Sequence, residues 1–525
     1  MAKVMPEASH SWLWRSTKIR DGQGTLAVIT TCPRYGAGAC CLVWGPFSTV
    51  DSNTVYSVSI EINSQTIGSE VMPSINVFIR WRPLSPSEAN TPEIARTQHA
   101  HPTNNTSALS LTPPQPHKLA RPWKSDSAFT RIFTANDNNK AVFEAVVAPT
   151  LPRVLNGQSC NFFAYGHSGS GKSHTIIGYD FEHPDEFGLC LSAARALYEH
   201  LDQLNVGTNE NEKFLLGLRM YELRKNTAFD LLNDRCKCHI REGQDGKTHI
   251  RGETETFADG KVRVRPIVTK ACSTFDEFHA QLLAGIGRRA TGTSTVHDQS
   301  SRTHAVFEVE IVTRELLDAR DAVVERQSEL VPVGKRATDI YLEENLKAFI
   351  QTPDGKFAPN PDYQINQAAI DEAEAKKAEF ESYVQKAEEH VEAVKRSCPH
   401  ACLGGKLVFV DLAGSEYYHD KGSVSAIRAK QTPQEQQEGR QINTDLLSLK
   451  EVIRAMAQKQ TRIPFRSSPL TMVLREHFLT GEGDDGFSAM ILTTSPSSKQ
   501  YTATIDTLKY GNLIGVAGDK VKGRK

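Results

Sequence analysis

Short runs of apolar residues recur along most of the chain. Their lengths, and their content of β-branched and aromatic residues, predict buried strands. These predicted strands are residues 75–79, 160–165, 214–221, 305–312 and 407–410. Between them, residues 141–148 and 275–285 have patterns typical of helices. Strands that alternate with helices along the chain predict an α/β fold.

Four segments depart from this alternation. Residues 1–70 are predicted to form an N-terminal extension, in which alternating apolar positions at 56–62 indicate a half-buried strand. Residues 84–128 are rich in Pro, Ser, Thr, Asn and His, which predicts a long polar loop. Residues 313–405 interrupt the strand pattern and are interpreted as a helical insertion. Residues 518–525 form a short basic tail.

The second half of the insertion carries a stripe of apolar residues at alternating three- and four-residue steps. The stripe consists of Phe380, Tyr383, Ala387, Val391 and Val394. Fewer than four heptads are present, so the favoured interpretation is an amphipathic helix that lies on its own domain. A dimerising coiled coil and a mobile arm remain as alternatives.

Composition narrows the class of protein. The 525 residues include 61 Lys and Arg against 62 Asp and Glu, a net charge of -1 that excludes a generally cationic nucleic-acid coat. No run reaches the roughly 18 consecutive apolar residues of a membrane span. The polar start of the chain lacks the apolar stretch of a signal peptide, so we expect a cytoplasmic protein with reduced cysteines.

The strongest chemical motif is G-H-S-G-S-G-K-S at residues 166–173, between a predicted strand and a predicted helix. It fits the phosphate-binding pattern G-x-x-x-x-G-K-[ST]. The glycines allow backbone amides to surround phosphate oxygens at a helix N-terminus. Lys172 is predicted to neutralise the β- and γ-phosphates, and the Ser173 hydroxyl to bind Mg²⁺.

Two further motifs extend this site. Asp411 follows the apolar strand 407–410 and suits the role of holding Mg²⁺ through water, while Gly414 would let a backbone amide approach the γ-phosphate. Ser300, Ser301 and Arg302 precede another strand; their hydroxyls can complete the Mg²⁺ shell, and the arginine can pair with a carboxylate or a phosphate.

The order of these motifs resembles the kinesin motor domain. R-x-R-P at residues 80–83 is followed by F-A-Y-G-x-x-G-S-G-K-S-H-T, then by S-S-R-T-H, and then by D-L-A-G-S-E. The resemblance covers residues 71–517 apart from the insertion. It implies a P-loop NTPase core, with a twisted and mainly parallel sheet flanked by helices and ATP at the carboxyl edge of the sheet.

The resemblance also assigns roles to particular residues. Arg82 and Pro83 would flank the adenine, and Arg80 and His174 would help to bind the nucleotide. The phosphates would be bound by Gly166, His167, Ser168, Gly169, Ser170, Gly171, Lys172 and Ser173. The catalytic set would be Lys172, Ser300, Ser301, Arg302, Gly414 and Glu416, in which Arg302 pairs with Glu416 when the site closes. Mg²⁺ would be held by Ser173, Ser301 and Asp411.

One position departs from the family pattern. Kinesins usually have Asn three residues before the first Ser of S-S-R, where this chain has His297. Asn offers a donor and an acceptor on one amide group, whereas neutral His offers one of each in a different geometry. The substitution is expected to affect switch closure and the rate of hydrolysis more than nucleotide binding.

The predicted partner surface is basic. Residues 449–478 contain six Lys and Arg against two Glu, and the stretch from Lys450 to Arg475 occupies the position at which kinesins contact tubulin. No aromatic interleaving or base-reading motif supports nucleic-acid binding.

Within the family, the motifs look nearest to the internal-motor kinesins that depolymerise microtubules, although the Lys-Glu-Cys signature of that group reads Lys450-Glu451-Val452 here. The sequence therefore predicts an ATP-hydrolysing motor or a microtubule-end depolymerase on the cytoplasmic cytoskeleton. The alternative is a slow, nucleotide-binding regulator associated with microtubules. Direction of movement, oligomeric state and cargo are left open.

Overall fold

The computed structural model describes residues 15–20, 26–31, 75–101, 105–113, 122–243, 246–289, 302–351, 357–415, 433–458, 460–478 and 487–522. The chain divides into two compact units, Met1–Ile67 and Gly68–Lys525. In the first unit, β1 (Arg15–Arg20) and β2 (Leu26–Thr31) pair as an antiparallel hairpin. The strand predicted at residues 56–62 lies outside the described residues.

A twelve-stranded sheet forms the centre of the second unit. Its strands are β3 (Ile75–Trp81), β7 (Arg131–Phe133), β8 (Ser159–Tyr165), β9 (Leu215–Arg224), β10 (Thr227–Asp230), β11 (Cys236–Glu242), β12 (Thr248–Thr256), β13 (Val262–Pro266), β14 (Lys270–Cys272), β15 (His304–Val312), β18 (Lys406–Asp411) and β19 (Phe487–Thr494). The order across the sheet is β13-β12-β11-β10-β9-β15-β18-β8-β19-β3-β7, and β14 also pairs with β9.

Only one half of this sheet is parallel. The strands from β18 through β8, β19 and β3 to β7 run parallel, whereas every pair from β13 to β18 is antiparallel. The expected mainly parallel sheet is therefore corrected to a mixed sheet. The connections supply the reason: β9 and β10 are joined by Lys225 and Asn226 alone, and such a tight turn reverses the chain, whereas parallel strands need long crossovers.

Helices cover both faces of the sheet, so the predicted α/β architecture is confirmed. They are α1 (Asn139–Val146), α2 (Leu151–Val154), α3 (Lys172–Ile176), α4 (Leu189–Leu204), α5 (Phe275–Gly287), α6 (Arg314–Lys347), α7 (Gln367–Ser397), α8 (Pro433–Ala457), α9 (Pro469–Phe478) and α10 (Tyr501–Lys522). Successive residues of β8 point to opposite faces: Phe162 packs in the core with Leu197 of α4, and Phe163 in the core with Leu449 of α8. Among the described residues, no helix has the length and apolar character that crossing a membrane requires.

The segment predicted as a polar loop, residues 84–128, contains a small sheet. β4 (Ala95–Ala100), β5 (Ser107–Thr112) and β6 (Trp123–Lys124) pair antiparallel, which corrects that prediction. The reason is local alternation in β5, where Leu109 and Leu111 are fully buried. The prediction missed it because Pro, His and Asn on both sides dominate the composition of the segment.

The predicted insertion contains two long helices, α6 and α7, that lie against each other. A short hairpin of β16 (Phe349–Gln351) and β17 (Phe357–Pro359) connects them. The stripe of α7 is half-buried or buried, and Val394 belongs to the hydrophobic core of the second unit. This agrees with the favoured interpretation of a helix that packs on its own domain. Lys261 next to β13 pairs with Glu325 and Glu329 of α6.

Candidate nucleotide-binding site

The predicted phosphate and metal residues lie at the carboxyl edge of the parallel strands. Asp411 ends β18 and stands in register with Ala164, one residue before the end of β8. Parallel strands present their carboxyl ends at one edge, so the segments that follow β8 and β18 converge there. The segment after β8 is the glycine-rich loop of residues 166–171, which leads directly into α3.

Glycines and a contact with β19 set the shape of this loop. Gly169 and Gly171 have φ angles of 73° and 103°, in the left-handed region that favours glycine. A Cβ at Gly166 would lie 2.4 Å from the carbonyl oxygen of Thr493, so a side chain there would push the loop away. The hydroxyls of Ser170 and Thr493 lie 2.6 Å apart and tie the loop to β19.

Lys172 is buried at the start of α3. Its Nζ donates hydrogen bonds to the carbonyl oxygens of Gly166 at 3.1 Å and His167 at 2.8 Å. Burial lowers the pKa of Lys172 to about 8, while the carboxylate of Asp411 opposes that shift. The ammonium is therefore still mostly protonated at neutral pH, and it lies inside the loop with weak neutral acceptors that a phosphate oxygen could replace.

Ser173 and Asp411, two of the predicted Mg²⁺ residues, are in direct contact. The Ser173 hydroxyl donates to Asp411 Oδ2 at 2.7 Å. The other carboxylate oxygen, Oδ1, is buried without a hydrogen-bond partner among the described residues. An orphaned carboxylate oxygen beside a serine hydroxyl fits a divalent cation that is bound partly through water.

Few protein groups other than Ser173 and Asp411 are placed to bind a metal ion in the described part of the chain. No group of three or more His, Cys, Asp or Glu side chains is placed to bind an ion within the described ranges. The ligand set at Ser173 and Asp411 is therefore sparse in protein groups. Mg²⁺ typically keeps several waters and takes further oxygens from substrate phosphates, which agrees with such a set.

Gly414 lies against the phosphate loop. A Cβ on this residue would lie 2.6 Å from the Cα of Ser168 and 3.1 Å from Nζ of Lys172, so only glycine allows the present contact. One residue later, Ser415 forms a parallel β-bridge with His167. The segment after β18 thus packs directly against the phosphate loop, so a movement of either segment would displace the other.

Arg82, Pro83 and His174, which are predicted to bind the adenine side or other parts of the nucleotide, differ in exposure and in their contacts. Arg82 is half-buried beside the loop and donates to both carboxylate oxygens of Glu88, at 2.7 and 3.0 Å. Burial alone would raise the pKa of Glu88, but hydrogen bonds from Arg82 and Ser85 outweigh it and hold this pKa at about 2. Pro83 is exposed next to this pair. His174 is half-buried, and burial followed by the charge of Arg80 lowers its pKa to about 4, so its ring is neutral.

Arg80, unlike Arg82, is buried, and its side-chain hydrogen bonds run to α1 and α3. Its guanidinium is buried and donates to Asn139 Oδ1 at 2.6 Å and to Thr175 Oγ1 at 2.9 Å. These bonds join β3, α1 and α3 behind the phosphate loop. Arg80 thus has a structural role in this arrangement, and its predicted contact with the nucleotide stays a prediction.

Sequence reasoning missed Arg289, which lies two residues after α5. Its guanidinium donates to Asp411 Oδ2 at 2.6 Å and to the carbonyl oxygen of Thr303 at 3.0 Å, and both charged side chains are almost completely buried. A pair of arginines at a helix end was the only signal in the sequence, and it does not distinguish Arg288 from Arg289. This arginine places a positive charge beside the predicted metal ligand.

Several predicted residues lie outside the described residues: His297, Ser300, Ser301 and Glu416. The pairing of Arg302 with Glu416 therefore stays a prediction. Arg302 itself precedes β15 and lines a small cavity with Glu438 and Asp445 of α8. Next to it, His304 accepts a hydrogen bond at Nδ1 from the backbone N–H of Ala413, at 3.1 Å.

Comparison with known proteins decides the family. A family model described as the kinesin motor domain matches residues 80–333 and 380–515, well over half of the chain. The chain belongs to the kinesin motor domain family. The kinesin fold is supported by a solved structure of KIF14 bound to AMP-PNP and a microtubule, at a TM-score of 0.51 and 20% identity over 84% of this chain and 94% of that one.

Curated kinesins match at similar levels. Kinesin-like protein Klp61F of Drosophila melanogaster is 24% identical over 446 residues, which span 84% of this chain and 31% of that protein. Kinesin-like protein KIN-13A of Oryza sativa is 25% identical, with 87% and 43% covered, and KIN-13B of Arabidopsis thaliana is 26% identical, with 84% and 47% covered. The chain spans less than half the length of these relatives.

The family match also locates what this kinesin adds. Residues 334–379 are not matched, so the added segment is narrower than the predicted insertion of 313–405. It comprises the C-terminal part of α6 from residue 334 onward, the β16–β17 hairpin and the start of α7 up to residue 379. The inner halves of both helices fall within the matched kinesin ranges, which agrees with the place of Leu316 and Val394 in the core.

The basic segment from Lys450 to Arg475 is partly neutralised by the chain itself. Arg466 and Arg475 both contact Glu242 at the end of β11, at 2.7 and 3.4 Å. Arg454 pairs with Glu451 on the same helix at 2.8 Å. The free positive charge of this surface is therefore smaller than the sequence count suggests. Arg462 remains exposed to solvent.

Proposed function

We propose that this kinesin binds MgATP at the edge formed by β8 and β18 and hydrolyses it in a cycle coupled to microtubule binding. The arrangement of Lys172 inside the loop, with Ser173 in contact with Asp411, carries this proposal. It combines a buried ammonium, a hydroxyl and a carboxylate with a free oxygen at one end of a glycine-rich loop. These are the groups that phosphoryl transfer needs for charge neutralisation and positioning.

Each residue has a distinct task in this proposal. Lys172 would exchange its carbonyl acceptors for phosphate oxygens, and Ser173 and Asp411 would hold Mg²⁺, which neutralises charge on the phosphates. Gly414 would bring a backbone amide to the terminal phosphate, since it already lies on the loop. Arg302 and Glu416 would close the site around the attacking water. Arg82 and Pro83 would flank the adenine, and His174 would help to bind the nucleotide.

Steady-state phosphate release with and without microtubules tests the proposal. Wild type should turn over ATP and should be stimulated by microtubules. Lys172→Ala should abolish turnover and weaken nucleotide binding, because it removes the only side-chain cation of the loop. A matched control is Lys140→Ala, whose ammonium pairs with Asp185 on the exposed surface and should leave turnover unchanged. Full turnover in Lys172→Ala would show that the phosphate site is elsewhere.

Microtubule length, followed in parallel, distinguishes a motor from a depolymerase. Because the motifs look nearest to the internal-motor kinesins, we propose shortening of stabilised microtubules as the outcome. Gliding without shortening would favour a motor. Both activities would take place on microtubules. We therefore propose that the protein is located in the cytoplasm, on the microtubule cytoskeleton.

A second candidate function is supported by one observation. Glu242 occupies two arginines of the predicted tubulin surface, which reduces the charge available to attract tubulin. A slow, nucleotide-binding regulator of microtubules would tolerate that loss. Microtubule binding without stimulated turnover would favour this function. If microtubules stimulate ATP turnover more strongly in Glu242→Gln than in wild type, the motor is favoured instead. Glu242 would then be a residue that slows association with the microtubule.

A further inference from the structure

The tip of the inserted segment exposes an unusual amount of apolar surface. Seven large apolar side chains between residues 341 and 365 are 36–73% exposed. They are Tyr341, Leu342, Leu346, Phe349, Ile350, Phe357 and Ile365, and we call them the tip patch. These seven make up more than half of the large exposed apolar residues in the described part of the chain. Concentrations of this kind mark interaction surfaces on soluble proteins.

The tip patch is presented by an ordered structure. Glu344 at the end of α6 accepts hydrogen bonds from the Tyr363 hydroxyl at 2.5 Å and from the backbone N–H of Asn366 at 2.9 Å. Asn360 donates its backbone N–H to the carbonyl oxygen of Ala348, at 2.8 Å. These bonds hold the end of α6, the β16–β17 hairpin and the start of α7 together. A pre-organised surface loses little conformational entropy on binding.

Helix packing inside the chain does not cover this surface. Leu342 and Leu346 are four residues apart and share one face at the end of α6, and Phe349 follows the helix at the start of β16. The stripe on α7, by contrast, is half-buried or, at Val394, fully buried against the chain itself. In the described residues, β16 and β17 pair only with each other, so the outer edge of each strand is open for a further strand.

Area and charge point to the nature of the partner. The exposed parts of the seven side chains sum to roughly 700 Å², close to the ~800 Å² per partner of a standard protein interface. Residues 331–366 carry four basic and five acidic side chains, close to electrical balance. Such a surface has no excess positive charge to attract an acidic polymer or an anionic membrane, and two copies of it would not repel each other.

We propose that the tip patch is a homodimerisation surface, on which a second copy of this chain binds through a two-fold contact. The α6 faces of the two copies pack together, with Leu346 and Phe357 as the most exposed anchors. An isologous contact lets the same patch satisfy both copies. The added segment would thereby bring two motor units together through the tip patch itself.

Light scattering coupled to size-exclusion chromatography tests this proposal on the full 525-residue chain. The monomer mass is 58.1 kDa, and we expect the mass to approach twice that value as concentration rises through the micromolar range. The double variant Leu346→Lys with Phe357→Lys should stay monomeric throughout. It should keep the thermal midpoint and the unstimulated turnover of wild type, because neither side chain touches the nucleotide site or the core.

The matched control is Val206→Lys. Val206 is 82% exposed outside the tip patch, so its replacement puts one lysine, half the charge added in the double variant, at an apolar surface position and should leave the dimer intact. A wild-type chain that stays monomeric up to ~100 µM would overturn the proposal, since a standard interface binds more tightly than that. A dimer that survives in the double variant would also overturn it. Monomeric wild type, together with weaker microtubule pelleting of the double variant, would assign the patch to tubulin instead.

Discussion

Replacing Arg289 by Ala is expected to destabilise the motor unit strongly, because it leaves a buried charge without its partner. The guanidinium lies 2.6 Å from Asp411 Oδ2, and the two side chains are 6% and 0% exposed. Removal of one member of a buried ion pair costs about 3–5 kcal/mol. We expect the low end, about 3 kcal/mol, because the Ser173 hydroxyl still donates to the same oxygen. That free energy corresponds to a change of about 150-fold in the unfolding equilibrium.

Urea unfolding, followed by tryptophan fluorescence and circular dichroism in the absence of Mg²⁺ and nucleotide, measures this loss. The neighbouring Arg288→Ala is the matched control. Arg288 pairs with Asp234, which is 92% exposed, so its removal should cost at most about 1 kcal/mol. The double variant Arg289→Ala with Asp411→Asn should recover part of the loss, since the buried carboxylate that lost its arginine is then removed.

Mg²⁺ and nucleotide should narrow the difference between Arg289→Ala and wild type. A cation bound beside Asp411 would replace the positive charge that the arginine supplied, and ligand binding to the folded state adds stability to both proteins. The reasoning is refuted if Arg289→Ala is no less stable than Arg288→Ala. It is also refuted if Mg²⁺ with nucleotide widens the gap.

Three further predictions concern the switch segments and α8. Either Arg302→Ala or Glu416→Ala should suppress hydrolysis with ATP binding largely intact, and the charge-swapped double variant should regain part of the rate; wild-type turnover in both single variants would exclude the gate. The ATP turnover rate of wild type should fall more steeply between about pH 7.5 and 6 than that of His297→Asn, because protonation of the His297 ring removes its hydrogen-bond acceptor. Superimposable pH–rate profiles of the two proteins would leave His297 without a role in turnover. Burial raises the pKa of Asp445 to about 6, so the folded state binds the extra proton and ionisation above that pH costs stability. Asp445→Asn should therefore be more stable than wild type by about 1–2 kcal/mol at pH 8, with the gap closing below about pH 4 in urea unfolding; equal stability at pH 8 would contradict this.

Much of the nucleotide site could be predicted because its main motifs are local. The loop at residues 166–171 needs glycines at particular backbone angles, and Lys172 and Ser173 follow it within the same helix turn. Asp411 was predicted from its position at the end of a buried strand. The structure places Ser173 and Asp411 in contact, although 238 residues separate them, because parallel strands bring their carboxyl ends to one edge.

Other features could not be predicted because they depend on which side chains meet in space. Arg80 and Arg82 share one short motif, yet Arg80 is buried behind α3 while Arg82 pairs with Glu88 beside the loop. Alternation along a strand would place both on one side, but β3 ends at Trp81, so Arg82 leaves the strand and only the packed fold shows what each arginine meets. The same holds for Glu242, whose proximity to Arg466 lowers the free positive charge of the basic segment below the simple count.

By itself, the sequence determined the α/β class, the glycine-rich loop after β8, the aspartate at the end of β18 and the amphipathic helix of the insertion. These follow from residue type and spacing within short segments, where backbone angles and side-chain periodicity leave few alternatives. Only the tertiary structure decided the mixed order of the sheet, the Arg289–Asp411 pair and the concentration of exposed apolar residues on the tip patch. Each of these depends on contacts, or on the lack of contacts, between segments far apart along the chain, and such contacts form only when the whole motor unit is packed.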